Sequence, residues 1–175
     1  MTGDPTLDVP LTPDGEEEAR RLARALANVP LDVCIHTRFP RTRRTAELVL
    51  AGRDVPMETE PLLDDIDVGD LEGSTLDDYR AWKARHARHI PFPGGESLDD
   101  AARRYASGFR RLIETSYSAV LVVCHEIPIR YALNGAAGST SFEAPVHEIA
   151  NAVPYLFGED ALARAADGIE RLTRG

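Results

Sequence analysis

The apolar positions change period along the chain, and the changes mark out its elements. Ala19, Leu22, Ala23 and Leu26 recur at helical spacing, and Thr12-Pro13-Asp14-Gly15 precedes them with a proline suited to a first helical position. Glu16 to Glu18 place negative charge at the positive end of that helix. A short apolar run, Leu31 to Ile35, reads as a strand. Arg41 to Ala51 reads as a helix stopped by Gly52, and Val55 to Glu60 as a weak strand. An acidic loop from Asp64 to Ser74 leads to a helix over Leu76 to Arg88.

The prolines and glycines of "HIPFPGGES" make a loop, after which Ser97 and Asp100 have capping-box spacing. The helix they open carries Tyr105, Phe109, Leu112 and Ile113 on one stripe. Ala119 to Cys124 is the most continuous apolar run and predicts the best buried strand; Ile127 to Ala137 then predicts a helix. "AVPYLF" predicts an edge strand, weakened by Pro154, and Asp160 to Leu172 an amphipathic terminal helix. Alternating strands and helices predict one α/β domain over residues 1–175, a mostly parallel sheet with helices on both faces in three layers. One feature departs from the pattern: the first helix has no strand before it.

Composition narrows the function. With 43% apolar and 28% charged residues the chain reads as globular, and its net charge of -9 argues against a general binder of nucleic acid or of membrane surfaces. An anionic ligand would need a local cationic pocket. No apolar run approaches membrane length and Met1 to Gly15 does not resemble a signal peptide, so the expected location is the cytoplasm. Cys34 and Cys124 lack metal-ligand or redox spacing and read as buried small hydrophobes.

The candidate chemistry gathers at two strand ends. His36, Arg38, Arg41, Arg43 and Arg44 follow the first, and His125 and Glu126 follow Ala119 to Cys124. In a parallel sheet, strand carboxyl ends share one crevice, where an arginine and a histidine at a helix start suit the oxygens of a phosphoryl group. A histidine there can equally close a turn. Arg43 and Arg44 read as a solvated helix face, while the role of Arg38 stays open. In "LLDDIDVGDLEG", Asp64, Asp65, Asp67, Asp70 and Glu72 lack the spacing of a calcium loop, so no metal is expected. One of these acids could serve as a general acid. The basic run "YRAWKARHARH" reads as a surface helix with alternating charge, or as a lid attracting anions, with Trp82 as packing.

Taken in order, "PLTPDGEEEARRLARAL", "FPRTRRTAEL", "DDIDVGDLEG", "GGES" and "LVVCHE" resemble the landmarks of the histidine phosphatase superfamily, the phosphoglycerate-mutase-like proteins. The resemblance implies that fold and a cofactor-free phosphatase or phosphomutase acting on a small phosphorylated metabolite through a phosphohistidine. It implies Arg41 and His125 as phosphate-binding residues and Asp65 as the acid.

The sequence also departs from that family. The Arg-His-Gly triplet that ends the family's first strand, and supplies its nucleophile, occurs nowhere in these residues. Asp65 stands where glutamate is usual, His36-Thr37-Arg38 where Ser-Ser-Pro is usual, and Glu126 where glycine is usual. His36, Arg38 and Glu126 are therefore expected as possible substrate-facing residues. The nucleophile is expected to be absent from the 175 residues, with a non-enzymatic phosphate- or partner-binding protein as the alternative. The gap left by a missing central strand would call for a rearranged segment, a partner's strand or a homodimer contact.

Overall fold

The computed structural model describes residues 3–7 and 9–174. Its sheet has three parallel strands in the order β2-β1-β3, formed by β1 (Val33–His36), β2 (Met57–Thr59) and β3 (Val120–Val123). Register pairs Cys34 with Leu121 and His36 with Val123, so β1 and β3 end level at the same edge of the sheet. The alternation of β3 divides its side chains between two cores. Leu121 and Val123 face α1 (Pro13–Ala25) and α2 (Pro40–Val49). Val122 and Cys124 pack toward α4 (Leu98–Ile113), α5 (Glu126–Ala136) and α6 (Glu159–Leu172). The architecture is thus three layers with helices on both faces, as the alternating pattern predicts.

Helix ends follow from local chemistry. Thr12 caps α1 by accepting from the Gly15 amide, and Ser97 with Asp100 forms a complete capping box on α4. The helix α3 (Leu76–Arg85) stops three residues before the expected Arg88. His86 turns out of it with extended backbone, stacks on Trp82 at 4.2 Å and donates from Nδ1 to the Trp82 carbonyl, 2.8 Å away. Where α5 meets α6, a Cβ on Gly135 would lie 2.7 Å from the Ala165 carbonyl oxygen, so glycine permits that close crossing.

Two strand expectations are corrected. The run Ala119 to Cys124 is not the best buried strand: β1 is buried throughout, whereas all four residues of β3 keep intermediate exposure. The cause is its position, since β3 pairs only with β1 and its other edge meets no strand among the described residues. "AVPYLF" forms no strand. Pro154 has no amide to donate, Ala152 sits at φ 49°, and Leu156 is 99% exposed. Between β3 and residues 149–158 runs a cavity of about 800 Å³ whose wall includes Val120 to Cys124.

Candidate active site

Three side chains from three segments meet at the carboxyl end of β3. Arg41 is the second residue of α2, and its guanidinium lies 4.3 Å from the centre of the Phe39 ring. His125 is the residue between β3 and α5, its ring edge-on to Phe39 at 4.6 Å. Asp65 follows the 3-10 turn Pro61–Leu63. Nη2 of Arg41 lies 3.0 Å from Asp65 Oδ2 and 3.2 Å from His125 Nδ1, and Nδ1 is 3.5 Å from the same carboxylate oxygen. All three line the cavity along β3, and His125 is the histidine among its described lining residues.

The tautomer of His125 follows from its partners. A guanidinium can only donate, so Nδ1 accepts from Arg41 and the ring proton sits on Nε2. Nε2 donates to Thr37 Oγ1 at 2.9 Å; Thr37 passes its own proton to Thr42 Oγ1 at 2.7 Å, and Thr42 donates to the Phe39 carbonyl at 2.9 Å. Thr37 and Thr42 are both buried, so the relay fixes the ring with no polar atom left over. Burial lowers the His125 pKa to about 3, with the positive charges of Arg41 and Arg104 acting the same way. The imidazole is neutral at neutral pH, with its Nδ1 lone pair toward Arg41 and Asp65.

Asp65 is held above the ordinary carboxylate range by desolvation, against the opposing charge of Arg41 and Arg104 and the Ile66 amide. A carboxyl that retains its proton longer than usual is suited to donating it. Its neighbour is used differently. Asp64 is buried and receives the Arg38 amide at 2.9 Å and Arg38 Nε at 2.5 Å, which ties the loop after β1 to the loop after β2. Two adjacent carboxylates therefore divide into one scaffold group and one cavity group.

The loop bearing Asp65 is clamped from α4. Arg104 donates to the carbonyls of Leu62 at 3.1 Å, Asp64 at 2.9 Å and Asp65 at 3.2 Å, and pairs with Glu96 at 2.5 Å. Glu96 in turn accepts from the Asp67 amide at 3.1 Å. Neither Arg104 nor Glu96 was legible as a site residue, nor were Thr37 and Thr42. A charged residue between Ala101, Tyr105 and Gly108, on the buried face of α4, was the available signal for Arg104.

The structure brings together Arg41, Asp65 and His125, and adds Glu126, which lines the same cavity and accepts from Arg130 at 3.1 Å. His36 and Arg38 are elsewhere. His36 is buried, donates from Nδ1 to the Thr37 carbonyl at 2.7 Å and lies outside the cavity lining; Arg38 is committed to Asp64. Arg43 and Arg44 pair with Glu47 and Glu16 on the surface.

A sequence model of the histidine phosphatase superfamily (branch 1) matches residues 4–157. The 2,3-bisphosphoglycerate-dependent phosphoglycerate mutase of Methylobacterium sp. (strain 4-46) is 32% identical over 165 residues, covering 86% of this chain and 79% of its own. The adenosylcobalamin/alpha-ribazole phosphatase of Escherichia coli (strain K12) is 31% identical over 126 residues, covering 67% and 62%. Among solved structures, the alpha-ribazole phosphatase from Shigella flexneri superposes with a TM-score of 0.73 at 26% identity, over 83% of this chain and 77% of that one. No described helix is long and apolar enough to cross a membrane. The match to the family extends over most of the sequence and includes every segment that builds the cavity's carboxyl end, and the chain belongs to the histidine phosphatase superfamily.

Proposed function

We propose that this chain provides the phosphate-binding and proton-donating groups of a metal-free phosphomonoesterase or phosphomutase that works through a phosphohistidine. The observation that carries the reading is the convergence of Arg41, Asp65 and His125 where the cavity along the open edge of β3 reaches the carboxyl end of the sheet. Arg41 and His125 hold the phosphoryl oxygens as charge builds on them, and Asp65 gives its proton to the departing alcohol oxygen. Water then cleaves the phosphorus–nitrogen bond and Asp65 takes a proton back.

The attacking histidine is the piece these residues do not supply, because His125 is held in the relay to Thr37 and His36 lies outside the cavity. In this reading it comes on an extended strand seated parallel to β3 in the cavity. Two features support that placement. Pro10, Leu11 and Thr12 line the cavity, and the Gly3 amide donates to Glu72 in the acidic loop, so described residues before α1 lie beside the space such a strand would fill. Without the strand, the same pocket makes a phosphate-binding protein without turnover, the second reading.

Hydrolysis of nitrophenyl phosphate separates the two. A chain extended by an apolar strand ending in Arg-His-Gly should turn over, and the 175-residue chain should not. Strong activity in the 175-residue chain, lost on His125→Ala or His36→Ala with the fold intact, would place the nucleophile within the present residues and overturn the reading.

A further inference from the structure

A second cavity, of about 540 Å³, adjoins the first, and Asp65 and Glu126 line both. An acid that protonates a leaving oxygen must lie beside the alcohol, and with the first cavity assigned to the strand, the second is the space at Asp65 left for the alcohol portion of a substrate. Its walls come from α3, α5 and residues 143–149. It is rich in charge, yet it is not cationic. Asp65, Glu126, Glu143 and Glu148 stand against Arg80, Lys83 and Arg130.

The cations there are already neutralised from within. The Glu143 carboxylate lies 3.5 Å from Lys83 Nζ, 3.9 Å from Arg88 Nη1 and 3.4 Å from Arg130 Nη2, and Arg130 also pairs with Glu126 at 3.1 Å. Arg80 pairs with Asp77 at 3.4 Å. A second anionic group on a substrate would have to displace Glu143 or face carboxylates, and like charges in a partly buried site repel. Donors remain, however. The residues Tyr79, Arg130 and Glu126 line the cavity with hydrogen-bonding side chains, a polar wall that suits the hydroxyls of a neutral substrate at little electrostatic cost.

We infer that the substrate is a phosphate ester of a neutral, hydroxyl-bearing alcohol, and that Glu143 sets this preference by occupying the place a second substrate anion would take. The inference rests on the phosphate-site reading above and adds the class of leaving group.

Calorimetric titration of the 175-residue chain with inorganic phosphate, ribose 5-phosphate and 3-phosphoglycerate tests it. The sugar phosphate should bind about tenfold more tightly than 3-phosphoglycerate, the size of effect expected of one unfavourable charge contact. In Glu143→Gln, 3-phosphoglycerate should gain about tenfold while inorganic phosphate stays within about twofold, which also shows that the variant is folded. Equal or tighter binding of 3-phosphoglycerate by the unmodified chain, or an unchanged ratio in Glu143→Gln, overturns the inference alone. Inorganic phosphate that binds no better to the unmodified chain than to Arg41→Ala overturns the phosphate site itself, and this inference with it.

Discussion

Nη2 of Arg41 points at Nδ1 of His125 from 3.2 Å, so two groups 84 residues apart share one hydrogen bond in which the histidine can only accept. That orientation suits a resting site, and a bound phosphate should reverse it. Phosphate oxygens accept, so they would draw the Arg41 donor away and leave Nδ1 beside an anion. The His125 pKa, near 3 without ligand, should then rise by at least about one unit, because an adjacent anion favours the imidazolium. NMR titration of the imidazole with and without saturating phosphate measures this; an unmoved pKa would mean that the anion does not reach His125.

Acid stability should carry the signature of the same histidine. An unfolded histidine protonates near pH 6.5, whereas His125 resists protonation down to about 3. Between those values the unfolded chain binds more protons, so stability falls as pH falls from 6.5, by up to roughly 5 kcal/mol across the whole interval. Asp65 acts in the opposite sense: its raised pKa means that the folded state holds the extra proton as pH climbs through the carboxylate range. Urea unfolding from pH 7 to pH 4 should show a net decline, with a shallower slope in His125→Gln.

The hydroxyl relay predicts a selective loss. Thr37→Val keeps the shape but strands the Nε2 proton of a buried histidine, at a cost of about 1–3 kcal/mol. Phosphate affinity should fall severalfold at the same time, since the ring is no longer oriented. Thermal unfolding together with phosphate titration checks both effects.

Arg104→Gln should loosen the loop that carries Asp65. It removes donors from the carbonyls of Leu62, Asp64 and Asp65 and leaves Glu96 without its cation, for an expected loss of about 2–4 kcal/mol. The Asp65 pKa should rise further, as one of the charges holding it down disappears. Carboxyl NMR shifts of Asp65 report that change separately from stability.

The layers, the helix caps and the pairing of two strand ends were legible in the sequence because each has a local cause: a period, a capping box, a glycine. What was not legible depends on the whole sheet. The run Val120 to Val123 is apolar enough to be central, yet its far edge meets no strand among the described residues, and nothing local to those residues encodes which neighbour is present. "AVPYLF" has strand composition but, among the described residues, no strand to pair with across the cavity. In the site, Arg41, Asp65 and His125 were found through ordered motifs, whereas Thr37, Thr42 and Arg104 act through hydrogen bonds that only the fold creates. The division between Asp64 and Asp65 likewise depends on where Arg38 lies.

The open edge makes a prediction about exchange. Amides of β3 should exchange faster than those of β1, which is buried and paired on both sides. A strand seated in the cavity should slow β3 selectively. Hydrogen exchange on the 175-residue and strand-extended chains compares them, and equal protection of β3 in both would place the added strand elsewhere.

A crystal soaked in phosphate tests most directly whether Arg41 and His125 form a phosphate site with Asp65 as its acid. An anion should lie within hydrogen-bonding distance of the Arg41 guanidinium and His125 Nδ1, with Asp65 beside its outer oxygens. An anion bound elsewhere, with Arg41 still engaged by Asp65 and His125, would contradict it.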